Sequence, residues 1–217
     1  MDISYKILYY SLYILYCVYR KMITNRFQIL MGVILMNNKS DKYVMASVEA
    51  IVNEIESGDT IWAGNTTSIS VAFLDALAKR QNELKNVTIL VAKGNTPCKI
   101  LDELKYKDSF RVVSFFTEAL VQTFKKGNAS GLLMSSAETT IEAICNQFGV
   151  NTIAVSVCPP DDKKNCNVGK SGNYITTTIN KYSGITKRFA IVDQNLSSAV
   201  GNESETTLPL SIFDLVA

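Results

Sequence analysis

Between Val155 and Tyr174 the chain reads VSVCPPDDKKNCNVGKSGNY, with two thiols, two carboxylates and two ammonium groups between Cys158 and Cys166. Such a cluster suggests three chemistries: metal binding by thiolates, acid–base work by paired carboxylates, or attack by an activated cysteine. The spacing argues against each. Structural zinc takes four soft ligands, and Cys158 and Cys166 have no second thiol pair nearby and no histidine in the chain to join them. Asp161 and Asp162 are consecutive, which suits a solvated loop tip better than two groups facing one substrate. A cysteine nucleophile needs a neighbour that lowers its pKa; Lys163 and Lys164 are close in sequence, but nothing orients them. No metal site is expected.

The lack of histidine also removes the commonest general base and every histidine-dependent triad. Five cysteines, odd in number and without a C-x-x-C, read as reduced thiols of a cytoplasmic protein. Charge is uneven: six basic against two acidic residues up to Met45, then sixteen against eighteen. A body so near neutrality has no electrostatic footprint for nucleic acid.

A second candidate is AGNTTSIS, where Gly64 ends an apolar run and Asn65, Thr66, Thr67 and Ser68 lead into a helical pattern. Backbone N–H groups at a helix start favour a carboxylate or phosphate. The alternative is that Thr67 or Ser68 only caps the helix. Both readings stand at this point. The sequence is neither G-x-G-x-x-G nor a P-loop, so no dinucleotide or nucleoside triphosphate is implied. KGNTP, residues 93–97, is ordinary turn chemistry and a weaker candidate.

The elements that would position these loops alternate. SVEAIVNEIESGD predicts a helix with a Ser47 cap, apolar Val48, Ile51, Val52 and Ile55, and a stop at Gly58. TIWAG is a short buried strand, and SISVAFLDALAKRQNEL an amphipathic helix on Ile69, Phe73, Leu74 and Leu77. VTILVA (87–92), RVVSFF (111–116), GLLMS, NTIAVSV (151–157) and RFAIVD (188–193) predict further strands. Helical segments fall between them near 97–104, over 117–126, before Gly149 and near 174–182. This pattern predicts an α/β domain, a mostly parallel sheet with helices on both faces. Ligands of such sheets bind at the carboxyl ends of the strands, which singles out the loops at 64–68, 93–97 and 158–169.

The domain is expected over 46–217. Residues 1–45 form an apolar, basic leader with tyrosine-rich and FQILMGVILM runs, neither reaching the ~18 residues of a spanning helix. An extended start, a disordered leader, a membrane-associating segment and a packed part of the domain are its open readings. Any membrane contact would be confined to residues 7–35.

From Ser47 to the final FDLVA the chain resembles the N-terminal half of the acetyl-CoA hydrolase/CoA-transferase family, which includes acetate, butyrate and 4-hydroxybutyrate CoA-transferases. The segments that carry the resemblance are SVEAIVNEIESGDTIWAG, FLDALAKRQNELKNVTILVA, VSVCPPDDKKNCNVGKSGNY and FAIVDQNL. The most specific is the third, whose Pro159, Pro160, Asp161, Cys166, Gly169 and Tyr174 keep the family's strand–turn frame.

The resemblance implies a CoA-transferase-like domain that meets a second α/β half around an acyl-CoA. In that chemistry a glutamate attacks the thioester and CoA passes to a carboxylic acid. The glutamate belongs to the C-terminal half, so no catalytic residue is assigned in this chain. The implied substrate-binding residues are Gly64, Asn65, Thr66, Thr67, Ser68, Pro160, Asp161 and Gly169. Coenzyme A enters as substrate, with no resident cofactor. The implied partners are acyl-CoA, a short-chain carboxylate, and a C-terminal half or a second copy. The chain departs from the family at Lys163–Lys164, where His-Gly is usual, and at Ser68-Ile69-Ser70, where Gly-x-Pro is usual. A truncated non-catalytic paralogue or an acyl-CoA-binding module is therefore the alternative reading.

Overall fold

The computed structural model describes residues 43–92, 97–115, 128–133 and 141–217. The leader through Lys42, residues 93–96 of the KGNTP loop and the helix expected over 117–126 lie outside them. The main sheet holds β1 (Val44–Met45), β2 (Thr60–Asn65), β3 (Val87–Ala92), β4 (Phe110–Phe115), β5 (Ala129–Leu133), β6 (Thr152–Val157), β8 (Lys187–Val192) and β10 (Leu215–Val216). Its order is β1-β10-β8-β6-β2-β3-β4-β5, and every neighbouring pair is parallel. A separate antiparallel pair joins β7 (Asn165–Asn167) to β9 (Thr207–Pro209).

A strand covered on both faces needs apolar residues on both sides of its pleat, and these strands have them. Ile61 and Ala63 of β2 join one core with Phe73, Leu77, Ile89 and Phe189, while Trp62 joins the other with Leu90, Ile153, Val155 and Phe213. Helices α1 (Val48–Asn53) and α2 (Val71–Ala78) cover the first face through Ile51, Val52, Phe73 and Leu74. Helices α4 (Ile141–Phe148) and α5 (Asn173–Lys181) cover the second through Ile144, Ile175 and Ile179. The short helices α3 (Lys99–Asp102) and α6 (Glu203–Thr206) complete the described α-helices. The expected α/β class, parallel sheet and two-faced cover are all present.

Chain direction across the sheet fixes where a ligand fits. From β2 the chain steps outward through β3, β4 and β5, then returns to place β6 on the opposite side of β2. The order therefore reverses between β2 and β6. Loops leaving these two strands diverge, and a crevice opens at their carboxyl ends.

Three helices are shorter than expected: α1, α2, which ends at Ala78 and not at Leu84, and α3, which keeps only Lys99–Asp102 of the expected 97–104. Ser47 caps α1 as predicted, its hydroxyl accepting from the Ala50 N–H at 3.1 Å, but the helix ends at Asn53, short of Gly58. Ile55 is still buried, so an apolar residue at helical spacing marks the core here without marking the helix. Helix α2 starts two residues beyond the expected caps. Ser70, not Thr67 or Ser68, accepts from the Phe73 N–H.

Candidate functional site

The turn after β2 is built by Gly64 and Ser68. Gly64 has φ +87°, and a Cβ there would lie 2.7 Å from Ser68 Oγ and 2.9 Å from Ser68 O. Only glycine meets both demands. Ser68 is fully buried; its hydroxyl accepts from the Asn65 N–H and donates to the Asn65 carbonyl, each at 2.8 Å. These bonds close one turn of 3-10 helix over Thr66–Ser68 and hold Asn65 buried. Thr66, next in line, has φ +36°, a left-handed conformation that costs a β-branched residue about 1–3 kcal/mol.

What holds Thr66 there is the loop after β7. Its hydroxyl lies 2.5 Å from Ser171 Oγ, and the Thr67 hydroxyl donates to the same oxygen at 2.9 Å. The Ser171 loop is itself fixed at several points. The Gly169 N–H donates to Asn167 Oδ1 at 2.9 Å, the Lys170 N–H to Ser197 O at 3.2 Å, and the Gly172 N–H to Gly169 O at 2.9 Å. Gly169 has φ +74° and is packed so that a Cβ would meet Leu196 at 2.9 Å. The β2, β7 and β8 loops thus hold one another through hydroxyls and backbone.

Between them lies a cavity of about 770 Å3, within the size range of small-molecule sites. Its polar lining includes Thr66, Thr67, Ser70, Ser156, Lys170 and Asp193. Ser156 projects from β6 at the reversal point and is 3% exposed, with no hydrogen bond to its hydroxyl among the described residues. Val71 and Ala72, the first two residues of α2, also line it. First-turn N–H groups have no partner within their own helix, and the positive end of the helix faces the same space. This arrangement can hold an anionic group in the way that strand-end sites of open α/β sheets do.

Thr66 and Thr67 are brought to the cavity wall, while Gly64, Asn65, Ser68 and Gly169 stand behind the wall and shape it. Pro160 and Asp161 are exposed and do not line the cavity. Asp161 organises its own loop, Oδ1 accepting from Lys163 N–H at 2.9 Å and Asn165 N–H at 2.8 Å. Sequence reasoning missed Ser70, Ser156, Lys170 and the segment Asp193–Ser197. One signal for Ser156 was present: a hydroxyl inside the apolar run Ile153–Val157. For 193–197, the position just beyond β8 was the available signal.

The two cysteines of the opening segment are both buried. Burial first, then the proximity of Cys158 and Asp161, pushes the Cys166 thiol up to about 12. Such a thiol is protonated near neutrality and is no nucleophile. Cys158 Sγ donates to Leu196 O at 3.2 Å and receives the Ser198 hydroxyl at 3.7 Å. Among the described residues no group of three or more Cys, Asp or Glu side chains is placed to hold a metal ion. None of their helices is long and apolar enough to cross a membrane.

No protein-family model matches the sequence, and neither does any curated sequence. Solved structures do match the fold. RipA from Yersinia pestis aligns with TM-score 0.67 at 16% identity, over 79% of this chain and 41% of RipA. A 4-hydroxybutyrate CoA-transferase from Porphyromonas gingivalis aligns with TM-score 0.53 at 16% identity, over 79% of this chain and 38% of the enzyme. A variant of the decarboxylase AibA/AibB aligns with TM-score 0.52 at 10% identity, over 81% of this chain and 82% of that chain. The chain therefore has a CoA-transferase-like α/β fold. It spans about two fifths of RipA and of the 4-hydroxybutyrate CoA-transferase.

Proposed function

We propose that this chain is the N-terminal half of an acyl-CoA:carboxylate CoA-transferase of short-chain acid metabolism, acting in the cytoplasm. The observation that carries the reading is the cavity at the strand-order reversal, joined to a CoA-transferase-like fold. In this reading the α2 N-terminus and the Ser156 hydroxyl hold the carboxylate or the acyl oxygen. A glutamate from a separate C-terminal half attacks the thioester carbonyl and expels CoA thiolate, which attacks the glutamyl carbonyl of the resulting anhydride to give glutamyl-CoA and release the first carboxylate. The incoming carboxylate then attacks glutamyl-CoA and expels CoA thiolate, which attacks the acyl carbonyl of the new anhydride to give the new acyl-CoA and regenerate the glutamate. Dividing the exchange into such steps lowers each barrier. The protein's own contribution is to orient the carbonyl and to place N–H donors where negative charge develops.

The test is to combine the chain with a glutamate-bearing C-terminal half and follow CoA transfer from acetyl-CoA to butyrate by mass spectrometry. Butyryl-CoA formed only when both halves are present supports the proposal. No transfer with any such half, while the half itself is competent with its own N-terminal domain, overturns it.

Lys163 and Lys164 favour a second reading, a truncated non-catalytic paralogue or an acyl-CoA-binding module. They occupy an exposed loop tip at the positions where the family resemblance expects His-Gly. Calorimetry with CoA and short-chain acyl-CoAs separates the possibilities. Binding without turnover supports a module, and absence of binding supports a paralogue without ligand.

A further inference from the structure

The CoA-transfer reading gives the cavity one anionic group to hold, yet its lining carries a charge that this does not use. We propose that Lys170 makes the site selective for ligands with a second anionic group, short dicarboxylates in the first place; this inference rests on the proposed function and narrows its substrate class.

Among the described residues of the lining, Lys170 is the one cation and Asp193 the one acidic residue. They do not neutralise each other. Among the described residues Lys170 has no ion pair, and Asp193 Oδ1 accepts from the Asn195 N–H at 2.9 Å within its own loop. The Lys170 backbone is held from both sides of the cavity. Its N–H reaches Ser197 on the β8 loop at 3.2 Å, and the next residue, Ser171, is clasped by Thr66 and Thr67 of the β2 loop. The residue that carries the ammonium is therefore fixed at the cavity wall, although the side chain itself is exposed.

The first anionic position is independent of it. It is formed by the start of the eight-residue helix α2 and by Ser156, a buried hydroxyl that has no partner among the described residues and opens into the same space. A monocarboxylate satisfies this position and leaves the ammonium with water alone. A dicarboxylate short enough to lie in about 770 Å3 satisfies both. Because Lys170 is exposed, its pairing adds a modest factor, about two- to fivefold in affinity.

The experiment is calorimetric titration of the full chain with butyrate, succinate, glutarate and CoA. It compares the native protein with Lys170→Gln, Lys170→Arg and the loop-tip control Lys163→Gln. The expected result is tighter binding of succinate or glutarate than of butyrate. Lys170→Gln should weaken succinate and glutarate binding more than butyrate binding and so abolish that preference, while Lys170→Arg and Lys163→Gln retain it. Equal affinity for mono- and dicarboxylates in the native chain overturns the inference and leaves the carboxylate pocket standing. So does a Lys170→Gln loss confined to CoA, which would assign the ammonium to a phosphate. If no carboxylate binds at all, the pocket reading fails together with this one.

Discussion

Ser171 Oγ lies 2.5 Å from Thr66 Oγ1, joining two loops that are 105 residues apart in sequence. The contact compensates a left-handed Thr66 and closes one side of the cavity. Ser171→Ala removes this bond and the one from Thr67. At this solvent-accessible position the loss is expected to cost only about 1 kcal/mol of folding stability. Carboxylate affinity should fall more than that, because the wall can then rotate away. Urea unfolding and calorimetry on the same variant check the two effects. Unchanged affinity alongside lowered stability would make the clasp purely structural.

Gly64 admits no side chain. Gly64→Ala is expected to destabilise the domain by about 2 kcal/mol or more, through its positive φ and the approach to Ser68. The second variant, Gly64→Ala with Ser68→Ala, removes the hydroxyl contact at 2.7 Å but keeps the 2.9 Å approach to the Ser68 carbonyl and the unfavourable φ. It should therefore recover little. Full recovery of the urea midpoint would show that the side-chain clash alone matters.

Strands announced by continuous β-branched runs were legible: VTILVA is β3 without a residue's difference, and β2, β4, β6 and β8 fall within one residue of their expected ends. The sheet edge was not. β1 and β10 are two residues long, too short to show a period; β10 adds to the edge of β8, and β1 to the edge of β10. At the site, the 64–68 loop was legible because a glycine after a buried strand is punctuation. Lys170 was not, since its place at the cavity wall follows from a clasp between distant loops. The PPDD motif drew attention by composition, but its Asp161 is spent on its own turn.

The buried thiols give a prediction of reactivity. Burial foremost raises Cys98 from 9.0 to about 11, and Cys166 from 9.0 to about 12. Iodoacetamide at pH 8 should leave both unlabelled in the native protein and label both in urea, as read by peptide mass mapping. The sign of the linkage follows from the raised values. Below pH 9 the thiols are neutral in both states and add no pH dependence; above it the unfolded chain ionises first, so native stability declines. Fast native labelling of Cys166 would contradict this burial.

At the amino end of the sheet Lys187 ties β8 to the start of β2. Its ammonium donates to Asp59 Oδ2 at 3.0 Å, Glu56 Oε2 at 3.2 Å and Glu54 O at 2.9 Å. Asp59 is buried and also accepts from the Asn151 side-chain amide at 2.8 Å. Burial opposes the charge on Lys187, but the bonds to Asp59 and Glu56 outweigh it and hold the pKa above the usual 10.5. The stabilisation is thus complete below pH 10.5 and is lost as pH rises through the higher folded value. Lys187→Met leaves the Asp59 carboxylate without its cation. It should cost about 2 kcal/mol at about pH 8, between the values for exposed and fully buried pairs. Urea midpoints measured at about pH 8, 10 and 11 check both claims. The gap between native and variant should be widest at the lowest of these and narrow towards the highest; a gap independent of pH would mean that the aliphatic stem of Lys187, not its charge, carries the contact.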